Sequence, residues 1–247
     1  MSGHSKWASI KHKKGATDAK RGQLFTKVIK EIGIAARLGG GDPVANPRLR
    51  TAILKAKLVN MPKENIDRAI KKGTGELEGV QYVEITYEAY APGGVAILIN
   101  VLTDNKNRSA AEIRNLLGKH GGNMGSAGSV AHLFKRKGTI GLDATKHKED
   151  DVIAVALEAG AEDVGNDGKT IEVTTDPDTF ETVLDALTTA KMEKTFAEVG
   201  MMPDTSIRLD AEGTRKALRI IELLEDHEDV QSVASNLDIP DDFEMPE

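Results

Sequence analysis

Between Asp18 and Leu38 the apolar residues Leu24, Phe25, Val28, Ile29, Ile32 and Ala36 recur at intervals of three and four. That is the period of one helical face, and Lys20, Lys27, Lys30 and Arg37 fall on the opposite side. GGGDP stops the run, so the spacing predicts a first helix from Asp18 to Leu38. Asn46 followed by Pro47 has the chemistry of an N-cap and a first helical position, and starts a second helix. A third opens at Pro62 and stops at Gly73, burying Ile66, Ala69 and Ile70. GTGELEG then reads as a hinge. Residues 1–79 are expected to form a basic all-helical domain.

Past that point the pattern changes. YVEITYEAY alternates as a half-buried strand does, APGG is a turn, and GVAILINVL is a buried strand. Ser109 and Glu112 have capping-box spacing, which predicts a helix starting there and running through Leu117. After GGNMGSAGS another strand is expected through Val130 and Phe134. Strand KGTIGLD, helix DVIAVALEAG, strands AEDVG and KTIEVTT, helix DTFETVLDAL and strand KTFAEVG follow. That order is βαββαβ, a ferredoxin-like unit. A last helix covers Glu212 to Leu224, and VQSVAS reads as a final strand whose partners are the strands of 82–135. The expected fold class is therefore α+β and multidomain. A helical domain (1–79) precedes a discontinuous α+β domain (80–135 plus 209–247), into which an acidic ferredoxin-like α+β domain (136–208) is inserted.

A chain of 247 residues suits several small cores better than one. Aromatic residues are only 4% of it, so those cores must be built from aliphatic side chains. There is no cysteine, which excludes disulfides, thiolate chemistry and cysteine-based zinc sites. VAILINVL falls far short of the roughly 20 apolar residues of a membrane helix. A basic opening with no apolar run behind it is not a secretory signal. The reading is a cytoplasmic protein without membrane contact.

The overall net charge of −6 hides a sorting along the chain. Residues 1–79 hold 17 Lys/Arg against 7 Asp/Glu, a net +10. Residues 80–140 carry a net +3, and residues 141–247 a net −19. Such asymmetry points to a nucleic-acid-facing front and a solvating or partner-facing back.

Catalytic arrangements are missing: there is no G-x-S-x-G, no P-loop and no H-E-x-x-H. Gly122, Gly125 and Gly128 lack dinucleotide-motif spacing and lie between a helix and a strand, the wrong context. His4 and His12 sit among lysines, whose charge opposes a metal ion. No catalytic residue, metal or cofactor is assigned. What remains is binding chemistry. The arm GHSKWASIKHKK offers His4, Lys6, Lys11, His12, Lys13 and Lys14 around Trp7, the only tryptophan of the chain. Lys20, Arg21 and Lys27 continue the basic run. Two loops could hold phosphate on backbone N–H groups: DNKNRS, with Lys106, Asn107 and Arg108, and GKHGGNMGSAGS, with Lys119, His120 and Asn123. Both lie at strand–helix junctions of one domain and could be neighbours; their glycines equally suit tight turns. The second helix, the NMP turn and the third helix could form a helix-turn-helix with Lys63, Asn65 and Arg68 reading bases. The turn lacks glycine and Glu64 and Asp67 sit where phosphates would lie, so helix packing is the preferred account.

The segments GHSKWASIKHKK, RGQLFTK, LGGGDPVANPRLR, NMPKENIDRAIKKG, YEAYAPGGVA, TDNKNRS and GGNMGSAGSV, in this order, resemble those of the YebC family. The resemblance spans the whole chain, the acidic last third matching mainly in layout. It implies three domains, one all-helical and two α+β, and a non-enzymatic role in gene expression. Bacterial members carry the label of probable transcriptional regulatory proteins; a mitochondrial relative is a translational activator, and some bacterial members are described as ribosome-associated translation factors. Two readings follow from one class. RNA or ribosome binding is favoured, because a basic arm with His and Trp suits irregular RNA. DNA binding is the alternative, with a third reading from another class, an enzyme acting on a phosphate-bearing ligand. Neither a dimer element nor a clean recognition helix, which a DNA operator reader usually shows, is evident; the oligomeric state is left open, with a monomer favoured.

Overall fold

The computed structural model describes residues 18–240 and Phe243, with side chains from Gly22 onward. Of the candidate residues, His4, Lys6, Trp7, Lys11, His12, Lys13 and Lys14, together with the side chains of Lys20 and Arg21, lie outside that description.

Three helices open the fold: α1 (Asp18–Gly39), α2 (Pro47–Leu58) and α3 (Lys63–Thr74). Asn46 caps α2 as its sequence predicts: its side-chain oxygen accepts the N–H of Leu49 at 3.1 Å, and Pro47 follows at the first helical position. The turn into α3 needs no glycine, because Asn60 itself adopts a positive φ of 57°. Ile32, Ala35, Ala36, Leu49, Ala52, Ala56, Ile66 and Ala69 form the helical core. α1 and α3 cross closely at Gly33 and Gly73: a Cβ on Gly73 would lie 2.4 Å from the Gly33 carbonyl oxygen. Packing explains this pattern, and α3 spends its apolar face on α1.

A central antiparallel sheet follows, with β1 (Val83–Ala91), β2 (Val95–Thr103), the short β3 (Asn123–Met124) and β9 (Val230–Ser235) in the order β3-β1-β2-β9. The strand VQSVAS thus pairs with β2, on the far side of the chain from its own neighbours. Helices α4 (Lys106–Lys119) and α7 (Ala211–Glu225) cover one face, where Ile97, Ile99, Ile113, Leu117, Leu218 and Ile221 are buried. A small parallel pair, β8 (Ile207–Arg208) with β10 (Leu237–Asp238), completes this part.

The chain leaves through β4 (Phe134–Asp143) and returns through β7 (Lys194–Pro203), having made α5 (Glu149–Glu158), β5 (Asp163–Asn166), β6 (Thr170–Thr175) and α6 (Phe180–Thr189). The sheet order β5-β6-β4-β7, antiparallel at every step, is the ferredoxin-like arrangement. Its exit and entry lie side by side, with Phe134 opposite Pro203 and the Asp204 N–H on the Leu133 carbonyl at 2.8 Å. An inserted unit whose ends meet disturbs its host least.

Two local expectations are corrected. The strand expected through Val130 and Phe134 is a single 3-10 turn, Ala131–Leu133, and Phe134 already opens β4. The helix expected to start at Ser109 starts three residues earlier, capped by Asn105, whose side chain accepts the Arg108 N–H at 3.1 Å. Ser109 lies inside the helix and is fully buried. Among the described residues no helix is long and apolar enough to cross a membrane.

Candidate nucleic-acid interface

Helix α4 carries both predicted loops, one at each end. Lys106, Asn107 and Arg108 occupy its first turn, while Lys119 ends it and His120 caps it. Fourteen residues at 1.5 Å each put the two groups about 20 Å apart. The loops are therefore not neighbours but the two poles of one helix. Lys106, Asn107, Lys119, His120 and Asn123 are all exposed. Arg114, which no motif flagged, is exposed between the poles.

Arg108 differs from the others. One terminal nitrogen of its guanidinium donates to Asp104 Oδ1 at 2.8 Å and to Asp229 Oδ2 at 3.1 Å, yet the side chain keeps 40% of its surface exposed. Asp229, just before β9, is the centre of a polar hub. Its Oδ2 also lies 2.7 Å from Ser109 Oγ and 3.1 Å from Thr103 Oγ1, and its Oδ1 takes Lys30 Nζ at 2.6 Å. Burial pushes the Asp229 carboxyl up, but hydrogen bonds from Lys30, Ser109 and Arg108 outweigh it and hold it at about 2. The burial of Ser109 has its reason here: the hydroxyl serves the carboxylate, not the helix end.

Lys27 and Lys30 were expected on the polar, outward side of α1. Lys30 is buried, and its ammonium donates to the Glu228 carbonyl at 3.1 Å as well as to Asp229. Lys27 is half-buried and donates to the Glu225 carbonyl at the end of α7. Cations are favoured at a helix C-terminus, where carbonyls lack partners. At Lys27 and Lys30 the polar side of α1 thus meets the central domain, while Arg37 at its end stays exposed.

The glycine-rich loop after α4 does build a cradle for an anion, and the anion comes from the chain itself. Glu88, buried on β1, accepts the Gly128 N–H on Oε1 at 2.6 Å and the N–H groups of Val130 and Ala131 on Oε2, the latter at 2.8 Å. Burial raises the Glu88 carboxyl, and the three backbone donors overcome it, so the net direction is below the ordinary carboxylate range. Those three donors are not open to a phosphate. Lys119, His120 and Asn123, at the other end of the loop, remain exposed.

Among the described residues, Glu112, His227 and Asp229 bring three possible metal ligands together. Each already has a partner. His227 Nε2 lies 3.0 Å from Glu112, His227 Nδ1 accepts the Asp229 N–H at 3.1 Å, and Asp229 faces two cations. A divalent ion would be repelled by Lys30 and Arg108.

Glu88, Asp229 and Lys30 were missed by sequence reasoning. The one available signal was an acid within one strand region and at the edge of another, Glu88 in YVEITYEAY and Asp229 beside VQSVAS, where an unpaired charge is costly.

The comparisons with known proteins cover this whole frame. The model described as "TACO1/YebC protein N-terminal domain" matches residues 5–76, and "TACO1/YebC second and third domain" matches residues 82–237. A "Probable transcriptional regulatory protein" of Treponema denticola is 62% identical over 100% of both chains. One of Borrelia duttonii is 55% identical over 98% of this chain and 100% of its own. The crystal structure of a conserved hypothetical protein from Aquifex aeolicus superposes with a TM-score of 0.86 at 45% identity, covering 98% of this chain and 100% of that one. With both family models matched in order along one chain, and the same three-part fold in a solved relative, the protein belongs to the TACO1/YebC family.

Proposed function

We propose that this protein is a regulator of gene expression that binds nucleic acid, works without catalysis, and acts on RNA at the ribosome. The relatives' shared name, probable transcriptional regulatory protein, supports the regulatory part. The observation that carries the nucleic-acid part is the sorting of charge, +10 in residues 1–79 against −19 in residues 141–247. On the helical domain Arg37, Lys55, Lys57, Arg68, Lys71 and Lys72 are exposed, and the basic arm precedes α1. The poles of α4 supply a second set of contacts through Lys106, Asn107, Arg108, Lys119, His120 and Asn123.

RNA is preferred to DNA because α3 offers no clean reading helix. Glu64 and Asp67 are exposed beside Lys63 and Arg68, where they would face phosphates. Stacking and phosphate contacts suffice for irregular RNA. The second reading, a DNA-binding transcriptional regulator, rests on the relatives' name.

Crosslinking in cells followed by sequencing of the bound nucleic acid separates the two. Ribosomal RNA supports the first and promoter DNA the second; neither, with no binding in vitro, sinks both. The salt dependence of binding checks the arm's part. Changing Lys11, Lys13 and Lys14 to Glu should flatten the slope of log affinity against log salt by about 2, at roughly 0.7 per single-strand phosphate contact. An unchanged slope places the contacts elsewhere.

A further inference from the structure

The three domains are not joined in the same way. The central and ferredoxin-like domains share an apolar cluster, in which Ala96, Leu98, Val130, Phe134 and Ala234 pack with Met201. The helical domain shares no such cluster among the described residues. Its core runs from Phe25 to Ile70, and the central core begins at Tyr87. Ile34 is buried one turn beyond Lys30 but joins neither core.

What crosses between the helical and central domains is mainly charge. Lys27 and Lys30 sit on carbonyls at and after the end of α7, and Lys30 also lies 5.4 Å from the centre of the Tyr82 ring. Arg48 binds Glu31 at 2.8 Å within the helical domain and reaches Glu84 on β1 at 3.0 Å. These contacts are unequal. The side chains of Arg48 and Glu84 are 36% and 47% exposed, so salt screens that pair. Lys30 and Asp229 are 6% and 1% exposed, so water and salt scarcely weaken theirs. The two oxygens of Asp229 are divided between the domains. Oδ1 takes Lys30 of the helical domain, and Oδ2 takes Arg108, Ser109 and Thr103 of the central domain. The Oδ2 partners fix the carboxylate so that Oδ1 faces Lys30.

We infer that Asp229 is an interdomain latch: by holding Lys30 on one oxygen while anchored through the other, it sets the orientation of the helical domain on the central domain. The covalent connection between the two domains is the stretch from Gly75 to Tyr82, where Gly75 is left-handed at φ 84° and Leu77 and Val80 are exposed, so with the latch open only the Lys27 contact and the exposed ion pairs among the described residues would hold the orientation. The latch stands apart from the proposed function. What rests on that reading is its consequence: it fixes the separation between the basic helical surface and the poles of α4, so one strand could meet both at once.

The chain has no cysteine, which makes the test clean. Lys57→Cys on α2 and Asn115→Cys on α4, both exposed, take spin labels at two known places. Pulsed dipolar spectroscopy without nucleic acid should give one narrow distance distribution at 50 mM and at 500 mM salt. Asp229→Asn should broaden or shift it. Lys30→Met should do the same while leaving Asp229 its other donors, and so remains informative if Asp229→Asn fails to fold. Arg48→Ala should leave the distribution narrow. Narrow, superimposable distributions for wild type and Lys30→Met would overturn the latch. So would broadening of the wild type by salt alone, which would assign the docking to exposed pairs. Because no nucleic acid is present, failure of the proposed function would leave this result unchanged.

Discussion

Glu88→Gln offers the sharpest single perturbation. Glutamine keeps the shape of the side chain and one acceptor oxygen, but replaces the other with an NH2 group that can only donate. In the native cradle Oε1 serves Gly128 and Oε2 serves Val130 and Ala131. With the remaining oxygen turned toward Val130 and Ala131, the Gly128 N–H faces another donor. An orphaned donor costs about 1–3 kcal/mol, and the bonds that survive lose their charge assistance. We expect a loss of about 2–3 kcal/mol in the central domain. For a chain of this size that lowers the melting temperature by about 5–10 °C. Burial of the negative form opposes the cradle, but the net pull holds the folded carboxyl below its ordinary value. Its contribution is therefore complete above the unfolded value of about 4.3 and is lost as pH falls through the folded value. The gap between wild type and variant should be full at pH 7 and narrow below about pH 4. Thermal unfolding followed by circular dichroism across pH, with hydrogen exchange at Gly128 and Val130, measures both parts. A melting temperature within a degree of wild type at pH 7, with exchange at those amides unchanged, would refute the reasoning.

Further outcomes follow from the same geometry. Gly73→Ala should destabilise the helical domain by about 1–3 kcal/mol, because the new Cβ meets the Gly33 carbonyl at 2.4 Å and the Ala36 Cβ at 2.8 Å; a melting curve unchanged from wild type counts against so close a crossing. Lys119→Ala should lower affinity for RNA while moving stability by less than about 0.5 kcal/mol, since the residue is exposed; a large stability loss would make it structural. Arg108→Ala should cost less stability than Asp229→Ala, since Asp229 keeps Lys30, Ser109 and Thr103, whereas removing Asp229 leaves Lys30 buried without its partner; comparing their denaturation midpoints decides it. Trp7 is the only indole, so its fluorescence reports the arm alone: added RNA should quench or protect it, and emission indifferent to saturating RNA would remove Trp7 from the interface.

Local periodicity determined much of this protein before any contact was known. The stripe from Phe25 to Ala36, with Leu24 before it left exposed, the Asn46–Pro47 cap, and the βαββαβ order were all readable because period and capping chemistry act within a few residues. The pairing of VQSVAS with the strands of 82–135 was readable too, since an apolar strand at the end of a chain needs a sheet to join. Tertiary structure decided the polar residues. A lysine opposite an apolar stripe looks the same whether it meets water or a carboxylate nearly two hundred positions away, and Lys30 meets Asp229. Ser109 with Glu112 carries a capping signal, but the hub around Asp229 drew Ser109 inside and left the cap to Asn105. The glycines of 121–128 announced a loop able to cradle an anion, but not that Glu88, forty residues earlier, already fills it. Hydrophobic period is a property of neighbours along the chain, whereas the partner of a charge is chosen by whichever surface folding brings against it.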